Sequence, residues 1–421
     1  MGGFVMRKSV RSTALVAMVG VLGLAATACP TDPGPPPPAP GRYVATTGTD
    51  AGDCALPSTA CATVNYAVSQ ATAGQTVFVA AGTYPELVSV DKPLTFKGPN
   101  AGRSAGTTPA ARVPEATVKG FRSPGSPHPD AAYKFNVTVD GFSVDPQGDA
   151  ALLTPNTYNL IALFGDTDVK VINNIVRGGP YDPACSYTCT TMADGAIRVQ
   201  SGTYTVADNL VENFRRPLDI EQLADPANPV VSATYQRNVV QNFTWRAFWA
   251  AQWNGPFGAD TVHILDNRVT GTTGTLVASQ AATGMLVTAG GVTVSGNTFQ
   301  KLDTGVYEQY CGTTNPTDIH TKYEDNTFDD VSLGLQLHIV GDCTGRSPGA
   351  VVKGNSFMGG LWSANNTVTT GAAWFGGPTP ALDATCNFWG DASGPGVGNN
   401  AIAGAGLTTS PWQTSVGAAC P

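Results

Sequence analysis

Residues 262–269 read VHILDNRV, and this pattern decides the fold because it recurs through most of the chain. Apolar residues alternate with polar ones, and an asparagine then precedes another apolar position. Copies lie at 169–176 (VKVINNIV), 204–211 (YTVADNLV), 233–240 (ATYQRNVV), 292–299 (VTVSGNTF), 321–328 (TKYEDNTF) and 350–357 (AVVKGNSF). Their asparagines are Asn174, Asn209, Asn238, Asn267, Asn297, Asn326 and Asn355. The spacing between successive asparagines is nearly constant, at about 30 residues, which lies in the range typical of repeat architectures. Weaker copies place Gly141 one repeat before the first asparagine and Asn387 one repeat after the last.

A fixed period with alternation inside it predicts a stacked solenoid and not a series of independent domains. Each repeat has room for two or three short strands but for no helical run of ten residues, and a propeller blade would need about 40–45 residues. The chain is therefore predicted to be all-β, with parallel strands stacking at about 4.8 Å per coil. Asparagine suits the turn because it tolerates left-handed backbone angles, and stacked amides can bond from coil to coil.

The composition excludes several other classes of protein. The 421 residues carry 23 Lys and Arg against 31 Asp and Glu, a formal net charge of −8, and charged residues make up only 13% of the chain. A coiled coil or helical bundle would need more Glu, Lys and Leu, and a disordered chain would lack the valine-rich runs. An acidic chain also has few cations with which to displace phosphate counterions, so nucleic acid is not expected as a partner.

The N-terminus has the features of an export signal. Arg7, Lys8 and Arg11 precede an apolar stretch that ends at Ala26-Thr27-Ala28-Cys29, which resembles a bacterial lipobox. We expect a signal peptide over 1–28, a lipidated Cys29 with a Pro-rich spacer over 29–41, and one β-helix domain over 42–421. Simple cleavage after Ala28 is the alternative, and either route makes the remaining chain more acidic because three positive charges are removed.

The cysteines also favour export, because eight remain besides Cys29 and disulfides persist in oxidising compartments. Sequential pairing, in which each cysteine bonds the next one along the chain, is the simplest of the possible connectivities. It would give Cys54–Cys61, Cys185–Cys189, Cys311–Cys343 and Cys386–Cys420. A metal site at the second pair is the alternative, but no histidine lies near it in the sequence.

Residues 43–98 resemble the N-terminal entry of bacterial proteins with the pectin-lyase-like fold, the right-handed parallel β-helix. The matching positions are Gly74, Thr76, Val77, Val79, Gly82, Tyr84 and Glu86, and the terminal Cys386-Asn387-Phe388-Trp389-Gly390 with Gly394-Pro395 resembles the last coil of that family. The resemblance implies a single-domain right-handed solenoid with a short N-terminal capping helix. Apolar positions Val64, Ala67, Val68 and Ala71 place that helix at 63–72, while Trp389 and Trp412 are expected to close the other end.

Function is expected on the outer face, because apolar side chains fill the interior. The strands GAIRVQ, PLDIEQ, AFWAAQ, GMLVTA, GVYEQY and GLQLHI align so that two files of side chains point outward. The first file is Arg198, Asp219, Trp249, Leu286, Tyr307 and Gln336. The second file is Gln200, Glu221, Ala251, Thr288, Gln309 and His338. A slip in register by a single position would reverse every assignment, and an ordinary solvated face is the alternative interpretation.

Aromatic rings, amides and charges in a row suit a sugar chain, so we predict an exported, lipid-anchored protein that binds polysaccharide, with cleavage left open. Asp219, Glu221 and Arg198 are the catalytic candidates. The candidates for substrate binding are Arg216, Arg246, Trp249, Tyr307, Gln309, Gln336 and His338. Neither a Gly-His-Gly nor an Arg-x-Lys hydrolase signature is present, and paired carboxylates alone are a weak signal.

Two other functions stay open. A structural or adhesion protein of the cell surface would use the solenoid as a rod, and a uronate polysaccharide lyase would abstract a proton with Arg or Lys. No cofactor or metal is expected, although a lyase would bring calcium. Polysaccharide is the expected partner of a monomer that contacts a membrane only through its lipid anchor. Residues 99–135, rich in Pro, Gly and Ala, are expected to form a long loop that walls one side of a groove.

Overall fold

The computed structural model describes residues 40–124, 134–154, 159–185, 190–222, 229–252, 260–271, 282–288, 291–310, 321–339, 350–358, 372–375, 382–395 and 407–421. The predicted signal peptide, Cys29 and most of the spacer therefore lie outside the described residues. Of Glu221, Gln309 and His338 only the backbone is described.

Short strands account for almost all of the regular structure, because valine, threonine and aromatic residues alternate with polar ones in every repeat. One 3₁₀ turn (Pro57–Thr59) and one helix, α1 (Val64–Gln70), precede most of them. In chain order the strands are β1 (Gly41–Val44), β2 (Thr76–Val79), β3 (Gly82–Ser89), β4 (Leu94–Lys97), β5 (Ala116–Arg122), β6 (Val137–Asp140), β7 (Ser143–Val144), β8 (Asn159–Phe164), β9 (Val169–Ile172), β10 (Ile175–Arg177), β11 (Gly195–Gln200), β12 (Gly202–Ala207), β13 (Leu210–Phe214), β14 (Leu218–Gln222), β15 (Val230–Gln236), β16 (Val239–Phe243), β17 (Arg246–Gln252), β18 (Val262–Leu265), β19 (Arg268–Thr270), β20 (Thr283–Val287), β21 (Val292–Ser295), β22 (Thr298–Tyr310), β23 (Lys322–Glu324), β24 (Thr327–Ile339), β25 (Val351–Lys353), β26 (Ser356–Met358), β27 (Ala372–Phe375), β28 (Leu382–Asp383) and β29 (Leu407–Thr408).

Successive coils supply neighbouring strands, so the chain is a right-handed parallel β-helix, as predicted. One sheet takes a single strand from each coil in the order β1-β2-β4-β6-β9-β12-β15-β18-β21-β23-β25. The strands of this sheet are the first strands of their coils. The other sheet contains the second strands, β7, β10, β13, β16 and β19, and the third strands, β8, β11, β14, β17 and β20. The long strands β22 and β24 each supply both the second and the third strand of their coil.

The repeated asparagines form one buried ladder along the solenoid. Each is at most 1% exposed. From Asn209 to Asn387, each side-chain oxygen accepts hydrogen bonds from the backbone N–H and the side-chain amide of the previous asparagine, at 2.8–3.1 Å. The remaining amide hydrogen of each residue bonds a backbone carbonyl, as in Asn267 Nδ2 to Tyr235 O at 2.9 Å. The ladder thus satisfies the polar groups that each turn buries.

Two details of the turn differ from the sequence expectation. The left-handed residue is the one before each ladder asparagine, for example Asp208 (φ 59°) before Asn209 and Asp266 (φ 54°) before Asn267. The weak copy at 137–144 is also shifted by one position, because Phe142, not Gly141, donates its N–H to Asn174 Oδ1 at 2.9 Å. Gly141 (φ 80°) instead occupies the left-handed position, which only glycine, Asn and Asp adopt readily.

Both ends of the solenoid are capped as predicted. The helix buries Val64, Ala67 and Val68, and its first two N–H groups donate to the Glu86 carboxylate at 2.9 Å. Trp389 is fully buried at the far end, where it continues a stack of rings with centroids 5.0–5.2 Å apart: Phe299, Phe328, Phe357 and Trp389. Trp412 packs against the same core.

Two of the predicted disulfides are confirmed, Cys54–Cys61 and Cys386–Cys420. Cys185 is also disulfide-bonded. Cys189, Cys311 and Cys343 lie outside the described residues, so the other two predicted pairings stay predictions.

The region after β4 is only partly a loop, because β5 lies within it. Residues 99–115 run along the turns that carry the left-handed residues. Gly102 N donates to Asp140 Oδ1 at 3.0 Å, Ala105 N to Asp208 O at 2.9 Å, and Thr107 N to Arg237 O at 2.9 Å. Residues 99–115 therefore cover the ladder turns and do not wall a groove at the candidate site, and residues 125–133 of the predicted loop lie outside the described residues. No helix within the described ranges is long and apolar enough to cross a membrane.

Candidate functional site

The third strand of successive coils carries the first predicted file in the predicted register. Arg198 pairs with Asp219, Asp219 with Trp249, Trp249 with Leu286, Leu286 with Tyr307, and Tyr307 with Gln336. In the second file, Glu221 pairs with Ala251 and Gln309 with His338. The backbone register thus agrees with the sequence alignment, and the inward neighbours such as Ile220 and Ala250 are fully buried.

Exposure divides the first file into a covered part and an open part. Arg198 is 8% exposed and Asp219 is 0% exposed, whereas Trp249, Tyr307 and Gln336 are half-buried and Leu286 between them is 9% exposed. Gln200, expected to face solvent in the second file, is also fully buried. The expectation of a carboxylate open to solvent is therefore wrong for Asp219. Pairing between strands fixes the direction of a side chain, but not what packs on top of it.

Asp219 is held by neighbouring polar groups. Its Oδ2 lies 3.4 Å from Arg198 Nη2, and Asn159 Nδ2 donates to the same oxygen at 3.4 Å. The Tyr235 hydroxyl donates to the backbone carbonyl of Asp219 at 3.3 Å. Asp219 Oδ1 has no hydrogen-bond partner among the described residues. This carboxylate therefore contributes negative charge to the buried arginine side chains around it.

A second buried carboxylate, Asp194, was missed by the sequence analysis. It lies directly before β11 and forms ion pairs with Arg215 Nη2 at 2.8 Å and Arg216 Nη2 at 2.9 Å. Asp194 and Arg215 are each 2% exposed in their side chains. In the sequence it stands in the pair Asp-Gly before a strand, which is an ordinary turn signal and does not suggest an ion pair with the next coil.

Two tryptophans and three arginines stack on one another near the start of the third strands. Arg215, Arg216 and Trp245 lie in turns, and Arg246 and Trp249 lie in β17. The Arg246 guanidinium lies 3.5 Å from the ring centroid of Trp245 and 4.5 Å from that of Trp249. Arg216 lies 5.1 Å from the Trp249 centroid, and Arg215 lies 5.6 Å from that of Trp245. These are cation–π distances, so guanidinium groups already occupy part of the Trp249 surface that was expected to stack on sugar.

Arg246 is the most unusual member of this group. It is 7% exposed, its Nε has no hydrogen-bond partner, and it forms no ion pair with any carboxylate in the part of the chain that the structure describes. Burial, with the nearby charges of Arg216 and Arg215, lowers the pKa of Arg246 to about 10. A cation in this environment is poorly compensated.

Across the described residues, no group of three His, Cys, Asp or Glu side chains is placed to hold a metal ion. Asp194 and Asp219 are both directed at arginines, so this pair does not fit the carboxylate cluster that calcium prefers.

The sequence analysis also missed Glu308, whose carboxyl group is buried inside the solenoid. Glu308 is 1% exposed, accepts a hydrogen bond from the Tyr323 hydroxyl at 2.7 Å and another from Thr321 Oγ1 at 3.2 Å. Burial raises the pKa of Glu308 to about 7, although both hydrogen bonds oppose that shift. Alternation places it inward because Tyr307 and Gln309 point outward, so Glu308 belongs to the core and not to the outer face.

Comparison with known proteins identifies no family. No protein-family model matches the sequence. No match was found among curated proteins. Among solved structures, the chain is similar to the catalytic unit of a thermostable GH87 α-1,3-glucanase from Streptomyces thermodiastaticus strain HF3-3, with 13% identity over 85% of this chain and 67% of that chain and a TM-score of 0.44. It is also similar to XylC in complex with xylose, with 10% identity over 82% of this chain and 69% of that chain and a TM-score of 0.37. Similarity at this level carries no argument about function.

Proposed function

We propose that the protein is exported and binds polysaccharide along the outer face of its third strands. The observation that carries the proposal is the open part of the first file, in which Trp249, Tyr307 and Gln336 are half-buried. The buried Leu286 lies between Trp249 and Tyr307, so the four residues are direct neighbours in consecutive coils. Neighbouring strands lie about 4.8 Å apart, so these four side chains span about 14 Å. Aromatic and amide groups at that spacing offer apolar faces to sugar rings and hydrogen bonds to hydroxyls.

Binding is favoured over hydrolysis by the state of the carboxylates. A glycosidase places two carboxyl groups on either side of the scissile bond, within reach of substrate. Asp219 is fully buried and Asp194 is 2% exposed, and each is paired with arginine. These groups hold the neighbouring arginines in place and leave no described carboxylate on the open part of the file.

Export is supported by the disulfides as well as by the N-terminus. Cys54–Cys61 and Cys386–Cys420 fit an oxidising compartment. In this proposal Cys29 carries the lipid, and the proline-rich spacer holds the β-helix away from the membrane surface.

The test is a screen of purified protein against a broad glycan array, followed by titration calorimetry with each hit. Tyr307→Ala is expected to weaken binding about fivefold to tenfold, which corresponds to about 1 kcal/mol. Tyr43→Ala is the matched control, because Tyr43 is a half-buried tyrosine in the first sheet, where it stacks on Phe78 with centroids 5.1 Å apart. The proposal fails if no glycan binds, or if both variants change affinity equally. Release of reducing ends from a bound glycan would overturn the choice of binding over cleavage.

A further inference from the structure

Among the residues that the structure describes, four arginines and two carboxylates lie together at the covered end of the first file. The described carboxylates around Arg198, Arg215, Arg216 and Arg246 are Asp194 and Asp219. This local concentration of arginine stands out because the whole chain is acidic, with a net charge of −8.

Arg246 differs from the other three arginines because it forms no ion pair with a described carboxylate. Asp194 is already shared by Arg215 and Arg216, and Asp219 pairs with Arg198. Arg246 is left with two tryptophan rings, which attract the flat face of the guanidinium but accept no hydrogen bond from its edge. Placing a cation in such a site costs free energy unless a charged partner completes it.

The position of Arg246 lies beside the proposed binding face. It begins β17, the strand that also carries Trp249, and its guanidinium lies 4.5 Å from the ring centroid of that tryptophan. Trp249 is the first half-buried member of the file, so the arginine borders the place where the covered part meets the open part. A ligand that lies on Trp249 and Tyr307 would bring its own substituents to this edge.

We propose that Arg246, assisted by Arg216, binds an anionic substituent of the glycan, a carboxylate or a sulfate ester, so that the ligand is an acidic polysaccharide. The inference rests on the proposed function. The planar guanidinium donates hydrogen bonds in a fork that matches the oxygens of either anion. Trp245 and Trp249 hold that fork in position in the absence of ligand, which lowers the entropy cost of binding.

The experiment compares glycans that differ only in charge. Titration calorimetry measures polygalacturonate against its carboxyl-reduced derivative and dextran sulfate against dextran, at about 50 and about 200 mM NaCl, because salt screens charge–charge attraction. We expect at least one acidic member to bind about tenfold or more tightly than its neutral counterpart, with an affinity that falls as salt rises. The two pairs distinguish a carboxylate from a sulfate.

Variants assign the charge preference to this site. Arg246→Gln is expected to reduce the acidic-to-neutral ratio to about one, whereas Arg177→Gln is expected to leave it unchanged. Arg177 is a suitable control because it is an outward arginine on one of the second strands, where it forms an ion pair with Glu212 at 2.7 Å. If Arg246→Gln fails to fold, Arg216→Gln takes its place and is expected to lower the acidic-to-neutral ratio, and an unchanged ratio would overturn the inference.

The outcomes separate this inference from the proposed function. Equal affinity for charged and neutral members overturns the anion site but leaves glycan binding intact. Retention of the preference in Arg246→Gln places the anion elsewhere and also overturns the inference. If none of the four glycans binds, an acidic ligand of these two classes is excluded, and the wider array decides the proposed function independently.

Discussion

The burial of each strand residue in this protein depends on whether its side chain points into the solenoid or away from it. Glu308 and Tyr307 are adjacent, yet Glu308 is 1% exposed inside the solenoid and Tyr307 is half-buried on the outside. The carboxyl is held there by Tyr323 and Thr321. Because a buried carboxylate loses its hydration, folding favours the protonated form of Glu308, and the pKa of its carboxyl rises from 4.5 to about 7.

The unfolding free energy should therefore fall as pH rises, because of the raised pKa of Glu308. Glu308 binds its proton more tightly in the folded protein, so its contribution is fully present below about pH 4.5 and is lost as pH rises through about 7. The loss is on the order of 3 kcal/mol. Urea unfolding from pH 5 to pH 8 measures it, and Glu308→Gln should remove this part of the decline.

Glu324→Gln is the control for that measurement, because Glu324 is a half-buried carboxylate on the outer face of β23. It should leave the pH dependence of the unfolding free energy close to that of the unaltered protein. Parallel pH profiles for the unaltered protein and Glu308→Gln would show that Glu308 titrates normally.

At the scale of elements, the asparagine ladder joins each coil to the next by hydrogen bonds. A turn in this position buries backbone groups that no strand can pair, and one amide side chain per coil satisfies them. The left-handed residue before each asparagine directs that side chain inward, which is why Asp and Gly recur there. The helix α1 and Trp389 end the stack by covering the apolar cross-section at either side.

Replacing one ladder asparagine should lower the unfolding free energy far more than replacing the residue that follows it in the chain. Asn267→Ala leaves the Asn238 amide groups and the Tyr235 carbonyl without their partners, at about 1–3 kcal/mol for each buried group. We expect a loss of about 3 kcal/mol or more in the unfolding free energy, measured by chemical denaturation. Arg268→Ala, at the exposed position that follows, should change it by less than about 0.5 kcal/mol. Equal effects of the two substitutions would mean that the ladder is not a major source of stability.

At the scale of the stacked coils, vertical neighbours among the described residues are one full repeat apart in the chain. This arrangement brings Trp249, Leu286, Tyr307 and Gln336 together and lets one arginine-rich turn border the open face. A binding face that extends along the axis suits a polymer better than a small ligand. The proposed lipid anchor and spacer would present that face outside the cell.

The anchor can be tested on the full chain in a bacterial host. Cys29→Ala removes the sulfur that would carry the lipid, so the protein should move from the membrane fraction to the soluble exported fraction. Fractionation with immunoblotting measures the change, and Thr27→Ser is the control that keeps both the small residue and the cysteine. An unchanged distribution would indicate simple cleavage after Ala28.

Repeat spacing predicted the parallel solenoid, and alignment of the inward residues predicted the register of Arg198 through Gln336. The resemblance of the N-terminal entry predicted the capping helix, and the order of the cysteines predicted two of the disulfides. All of these depend on patterns that are written locally in the chain. Only the tertiary structure decided that Asp219 is buried, that Asp194 joins Arg215 and Arg216, and that Arg246 lies between two tryptophans. Those facts depend on how side chains at turns of different coils pack across one another, and the alternation of polar and apolar residues within a strand carries no information about that packing.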